Sequence, residues 1–184
     1  GSMIPLYATG MPAPDHAPPD LPSADSSALV PRPAKALAAP ALPSSPPMPA
    51  DRSVPIGLIG AGGISSVHLD AYRKYGLNVV AICDRHRERA AARRDAFFPS
   101  ARIATDPAEL IGDRGIRVLD ITLHPGGRVP LMRRALQAGQ SVLSQKPFFD
   151  DLAVGRELVE IAERQHVQLA GNQNGRWAPH LAYM

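Results

Sequence analysis

The chain has 184 residues, 20 Lys and Arg against 17 Asp and Glu, and a single cysteine, which gives room for one domain of ordinary size. One thiol excludes an internal disulfide framework and fits a reducing, cytoplasmic setting, and no apolar run approaches the roughly 20 residues that cross a bilayer. Basic residues are interleaved with acids, and aromatics make up only 5% of the chain, so neither a membrane nor a nucleic acid is expected as partner.

Thirteen of the twenty prolines fall in the first fifty residues, among Ala and Ser, a composition that cannot bury enough apolar surface to offset its ordering entropy. Residues 1–50 are expected to be a disordered or locally polyproline II tail, or a tag-derived linker; an arm that wraps a partner subunit is the functional alternative. Gly1-Ser2-Met3 looks like the remnant of a cleaved tag and Met48 like a natural start.

From residue 54 short apolar runs alternate with amphipathic stretches. Strands are predicted over 54–59, 78–83, 102–105, 117–123, 141–144 and 167–170. Helices are predicted over 64–75, stopped at Gly76, then 88–97, 129–138 and 152–165, with a further helix opened by Asp106 and Pro107. The Pro125-Gly126-Gly127 stretch is expected to be a turn. Continuous apolar strands separated by helices predict βαβ units and a doubly wound parallel sheet, an α/β Rossmann architecture over 51–178. The loops at 60–65, 84–86, 123–128, 145–148 and 171–177 all follow strands, so they share one edge, where such sheets bind ligands.

The turn Gly60-Ala61-Gly62-Gly63-Ile64-Ser65 joins the first strand to the first helix. Such a turn brings main-chain N–H groups up to a pyrophosphate, and the helix N-terminus adds positive potential. Gly60 permits the tight turn, and Gly62 lets phosphates approach. Ser65 stands at the third glycine position and is small enough for close packing. Asp84, 22 residues beyond Gly62 at the end of the second strand, can accept from both ribose hydroxyls and disfavours a 2′-phosphate. NAD is therefore expected, with NADP as the alternative. Asp84 can equally cap the following helix, and Arg85 beside it can stack on adenine or offset the charge.

Lys146 follows the fifth strand, where a lysine beside a cofactor can exchange a proton with a reacting oxygen; a plain surface lysine is the alternative. His124 either lines the pocket or fills a polar loop. The run 172–177 ends in Arg176 and Trp177, which either meet a polar ring or sugar or form a solvent loop. His68 is expected at the surface or in packing, Cys83 as a small buried hydrophobe, and Arg85 to Arg94 as a solvated helix face. No metal is expected, because the histidines show no ligand spacing and no paired Cys.

The glycine turn, Asp84-Arg85 and the segment Ala135 to Pro147 (Ala-Leu-Gln-Ala-Gly-Gln-Ser-Val-Leu-Ser-Gln-Lys-Pro) resemble, in that order, the amino-terminal domain of the glucose–fructose oxidoreductase, inositol dehydrogenase and rhizopine-catabolism family, Gfo/Idh/MocA. The likeness runs over about 54–181. It implies an NAD(P)-dependent dehydrogenase acting on the hydroxyl–carbonyl pair of a sugar, cyclitol or similar small molecule. A non-catalytic nucleotide-binding or interaction module is the competing reading. Added to the residues above, it gives a cofactor set of Gly60, Gly62, Gly63, Ile64, Asp84, Arg85, His124, Gln145, Lys146, Arg176 and Trp177, with Lys146 also catalytic. Gln145 stands where relatives carry the Glu of Glu-Lys-Pro and is expected to reach the nicotinamide ribose. Arg128 stands where many carry His and is expected to face substrate. Residues 179–184 would begin a second, substrate-binding domain, and a full-length form would be a homo-oligomer. The chain alone would be incomplete, and weakly active or inactive.

Overall fold

The computed structural model describes residues 47–178. The predicted tail over 1–46 and the predicted start of a second domain at 179–184 lie outside the described residues. In chain order the elements are β1 (Pro55–Ile59), α1 (Ser65–Lys74), β2 (Asn78–Cys83), α2 (Arg87–Phe97), β3 (Arg102–Ala104), β4 (Val118–Ile121), α3 (Pro125–Gln137), β5 (Ser141–Gln145), α4 (Leu152–Arg164) and β6 (Leu169–Asn172). Two single 3₁₀ turns, Pro107–Glu109 and Asn174–Trp177, complete them.

The six strands form one sheet in the order β3-β2-β1-β4-β5-β6, and every neighbouring pair is parallel. That order reverses direction between β1 and β4, which opens a crevice at their carboxyl ends. The two faces of the sheet divide the core. Ile56, Leu58, Val79 and Ile82 pack with Leu69 of α1 and Ala90 of α2. On the opposite face Leu119, Ile121 and Val142 pack with Met132 and Leu136 of α3 and with Leu158 of α4. Gly57 in β1 has a packing reason: a Cβ there would stand 3.0–3.1 Å from Leu119, Ile116 and Leu110 side chains.

Three elements depart from the sequence expectation. Helix α3 begins at Pro125, not 129, with His124 as its extended N-cap. Proline's fixed φ suits the first helical position, so the Pro-Gly-Gly stretch is the first turn of the helix itself. The helix expected after Asp106 is one 3₁₀ turn, held by a capping box between Asp106 and Glu109. Strand β6 starts two residues late, because the chain leaves α4 through His166 at φ 53°. Asn172 is consequently the last residue of a strand instead of the first of a loop.

Candidate cofactor site

A cleft of about 630 Å³ opens at the switch point, lined by Gly60, Gly62, Gly63 and Ile64, by Asp84 and Arg85, and by His124. Gly60 has φ 103°, and a Cβ on it would lie 2.9 Å from the Leu123 side chain, so the tight turn admits no other residue. Gly62 and Gly63 differ: a Cβ on either would meet no protein atom within 4 Å. Nothing inside the protein requires glycine there, and a side chain at either position would project into open space. Helix α1 starts with no side-chain cap and no acid in its first turn; the Ser66 and Val67 N–H groups already bond the Gly63 and Ile64 carbonyls at 3.4 and 3.0 Å, so it is the positive end of the helix that favours an anion there.

Asp84 is the hinge of the cleft. Its Oδ2 accepts from Ala61 N–H at 2.8 Å and its Oδ1 from His86 N–H at 2.8 Å. It ties the end of β2 to the glycine turn and braces the main chain at His86, the N-cap position of α2, a helix that has no side-chain cap of its own. Each carboxylate oxygen keeps a further lone pair for a hydroxyl. Cys83, behind it, is buried. Burial, reinforced by the Glu109, Asp84 and Asp106 carboxylates, pushes its thiol up to about 12, so it stays protonated and packs as a small hydrophobe.

Several sequence candidates lie away from the cleft lining. Lys146 is exposed, at the carboxyl end of β5 and joined to Pro147 by a cis peptide. Gln145, expected to reach a ribose, is turned inward: its Oε1 accepts from Lys146 N–H at 2.7 Å and its Nε2 lies 3.2 Å from His68 Nε2. Arg128, expected to face substrate, is fully buried. Its Nη1 donates to the Leu123 carbonyl at 3.2 Å and its Nη2 to the Pro147 carbonyl, while Nε is buried with no partner. Burial lowers its pKa, opposed in part by Asp150. Its place on the inner side of α3's first turn, which begins earlier than expected, explains the inward direction. Arg176 is exposed on the 3₁₀ turn after β6, and the Trp177 side chain lies outside the described residues.

A family model described as an oxidoreductase family with an NAD-binding Rossmann fold matches residues 54–173. The chain belongs to the Gfo/Idh/MocA family. Among its relatives, D-apiose dehydrogenase of Paraburkholderia graminis is 36% identical over 125 residues, 67% of this chain and 33% of that protein. Inositol 2-dehydrogenase of Salmonella typhimurium is 31% identical over 130 residues, 70% of this chain and 36% of that protein. A crystal structure of an Agrobacterium radiobacter oxidoreductase in complex with NAD+, L-tartaric acid and magnesium superposes with a TM-score of 0.63 at 28% identity, covering 68% of this chain and 36% of that one. The chain therefore spans about a third of the length of these relatives, and the matched third is the NAD-binding domain. No described helix is long and apolar enough to cross a membrane.

Within this Gfo/Idh/MocA domain the sequence reading missed four supports of the cleft. Thr122 Oγ1 donates to the Gly60 carbonyl at 2.5 Å, fastening β4 to the turn. Arg93 donates from Nε to Ser65 Oγ at 3.1 Å and from Nη2 to the Gly62 carbonyl at 3.1 Å, so one member of the arginine-rich helix faces inward. Its spacing from Ala90 and Phe97 was the available signal. Arg89 joins the cleft lining from the same helix. The fourth support is buried. His68 Nδ1 lies 2.7 Å from Asp120 Oδ2, which also accepts from Tyr72 Oη at 2.8 Å. A lone carboxylate inside the apolar strand Val-Leu-Asp-Ile was its signal, since a buried charge needs a partner.

Proposed function

We propose that the chain is the cofactor-binding domain of an NAD-dependent dehydrogenase that interconverts a hydroxyl and a carbonyl on a sugar, cyclitol or similar polyol. Its relatives' names support the class. The observation that carries the reading is the Asp84 carboxylate, tied to Ala61 N–H beside two glycines whose Cβ positions are open space. In this reading Gly62, Gly63 and the start of α1 hold the pyrophosphate, Asp84 holds the adenosine ribose, and Arg85 and His124 flank it. Nicotinamide, when bound, supplies or takes the hydride. Lys146 Nζ holds or moves the proton at the reacting oxygen, and Arg128 acts indirectly by fixing the main chain at Leu123 and Pro147. Arg176 and Trp177, just past β6, approach the nicotinamide and substrate. Residues 179–184 lead into a substrate domain, the full-length form is a homo-oligomer, and the buried, protonated Cys83 suits a reducing cytoplasm.

Titrating NADH against the 184-residue chain by fluorescence tests the cofactor part. Saturable binding is expected, weakened about tenfold or more by Asp84→Ala, since hydrogen bonds to a charged group contribute about 1.5–3 kcal/mol. Absence of saturation ends the proposal. In a full-length form given a sugar or cyclitol, Lys146→Ala should lower turnover by about 10²–10⁴-fold. A second reading, a nucleotide-binding module without turnover, is favoured by one observation: Lys146 stands exposed and off the cleft lining. Binding of NADH with no turnover of any polyol by the full-length form selects it.

A further inference from the structure

The carboxyl ends of β4, β5 and β6 meet at one imidazole. His68, 6% exposed, projects from the first half of α1, three residues past Ser65, the small residue that closes the glycine turn. Its Nδ1 faces Asp120 of β4, and its Nε2 faces Gln145 Nε2 of β5 at 3.2 Å and Asn172 Nδ2 of β6 at 2.9 Å. Donor and acceptor roles along this chain are not free. The Lys146 main-chain N–H can only donate, and it donates to Gln145 Oε1. Gln145 must then turn its NH₂ inward, so His68 Nε2 must carry a lone pair. The ring proton consequently sits on Nδ1 and goes to Asp120, whose Oδ2 accepts it together with the Tyr72 hydroxyl. Every link points the same way, from the main chain at Lys146 to the carboxylate at Asp120.

We propose that His68 is a positioning residue: held as the neutral Nδ1–H tautomer by Asp120 and Gln145, it locks the Gln145 amide and so fixes the main chain that presents Lys146. The proposal rests on the dehydrogenase reading for Lys146, and it adds a reason for Gln at position 145. A carboxylate there would still accept from Lys146 N–H, but its second oxygen would face His68 Nε2 and require a proton on it. Gln145 therefore sets the charge of the imidazole as well as the orientation of its own amide. Because His68 and the phosphate-facing turn share one helix, the clamp joins the pyrophosphate end of the cleft to the Lys146 end.

The test is ¹⁵N NMR of the imidazole in the 184-residue chain, with Lys146 amide exchange measured in parallel. Expected are a protonated Nδ1 and an unprotonated Nε2 at neutral pH, and conversion to the doubly protonated ring in Gln145→Glu. His68→Leu should speed Lys146 amide exchange roughly threefold to tenfold, the range of one net hydrogen bond. His68→Gln, which keeps one donor and one acceptor, should restore it. A proton on Nε2 in the unmodified chain, or a ring unchanged by Gln145→Glu, overturns the proposal, and neither result depends on His68→Leu folding. NADH titration of the same samples separates the two claims: binding with the wrong tautomer removes the clamp, whereas the right tautomer without binding removes the dehydrogenase reading.

Discussion

Two glycines in one turn answer to different physical demands, and substitution should pull the demands apart. Gly60 is glycine for the protein: its φ of 103° and the 2.9 Å approach to Leu123 make any Cβ costly. Gly62 is under no such demand from the protein, since nothing beyond its chain neighbours lies within 4 Å of its would-be Cβ, and the proposed cofactor supplies the reason for glycine there. Gly60→Ala should therefore lower unfolding free energy by about 1–3 kcal/mol, the cost of holding an L-residue in a sparsely populated backbone region. Gly62→Val should stay within about 0.5 kcal/mol of the unmodified chain, as open surface substitutions do, yet lose NADH affinity by more than tenfold. Denaturant unfolding and NADH titration on the two variants check this. Equal loss of stability in both would mean that Gly62 is enclosed by protein after all. The sequence offered both residues through one motif, and only the coordinates separate a steric demand of the fold from one of the cofactor.

At the scale of elements, the site depends on how strand ends are fastened to helix starts. Periodicity placed all six strands and four helices within a few residues, because buried parallel strands and amphipathic helices are patterned locally. It failed where tertiary contacts decide. Helix α3 reaches back to Pro125 because proline's fixed φ suits the first helical position and because Arg128 grips the Leu123 carbonyl from inside the first turn. A pattern search sees a Pro-Gly-Gly turn and an Arg facing substrate instead. The same guanidinium holds Pro147, 19 residues on, so it staples α3 to the chain leaving β5. Arg128→Met should cost about 3–6 kcal/mol in stability, since hydrogen bonds from a charged donor contribute about 1.5–3 kcal/mol each and two carbonyls lose theirs together. Arg128→Lys should recover little, because an ammonium cannot span two carbonyls as a planar fork does. Thermal and denaturant unfolding of both variants provides the measurement, and full recovery in the lysine variant would remove the two-carbonyl brace.

For the molecule as a whole, the sequence made the α/β class, the shared edge of the loops that follow strands and the glycine turn legible, since each follows from local chemistry and connection rules. It concealed the buried polar network, since Tyr72, His68, Asp120, Gln145 and Asn172 converge from four elements. That network and the buried thiol make the fold sensitive to base. Burial, aided by the charge of Asp120 and its hydrogen bond, raises the Tyr72 phenol above its ordinary value near 10, and the Cys83 thiol is raised to about 12. Groups whose folded values are raised contribute stability that is complete below their unfolded values, about 8.5 for Cys and about 10 for Tyr, and that disappears as pH climbs toward the folded ones. The unfolded chain releases these protons first, so unfolding free energy should be flat in these two contributions below about pH 8 and decline from about pH 9 upward. Urea unfolding at intervals from pH 8 to 11 measures the slope. Cys83→Ala should remove the earlier part of the decline and Tyr72→Phe the later part, the two effects adding because the side chains lie in separate packing regions. A slope that survives in the double variant would place the alkaline sensitivity outside these two buried side chains.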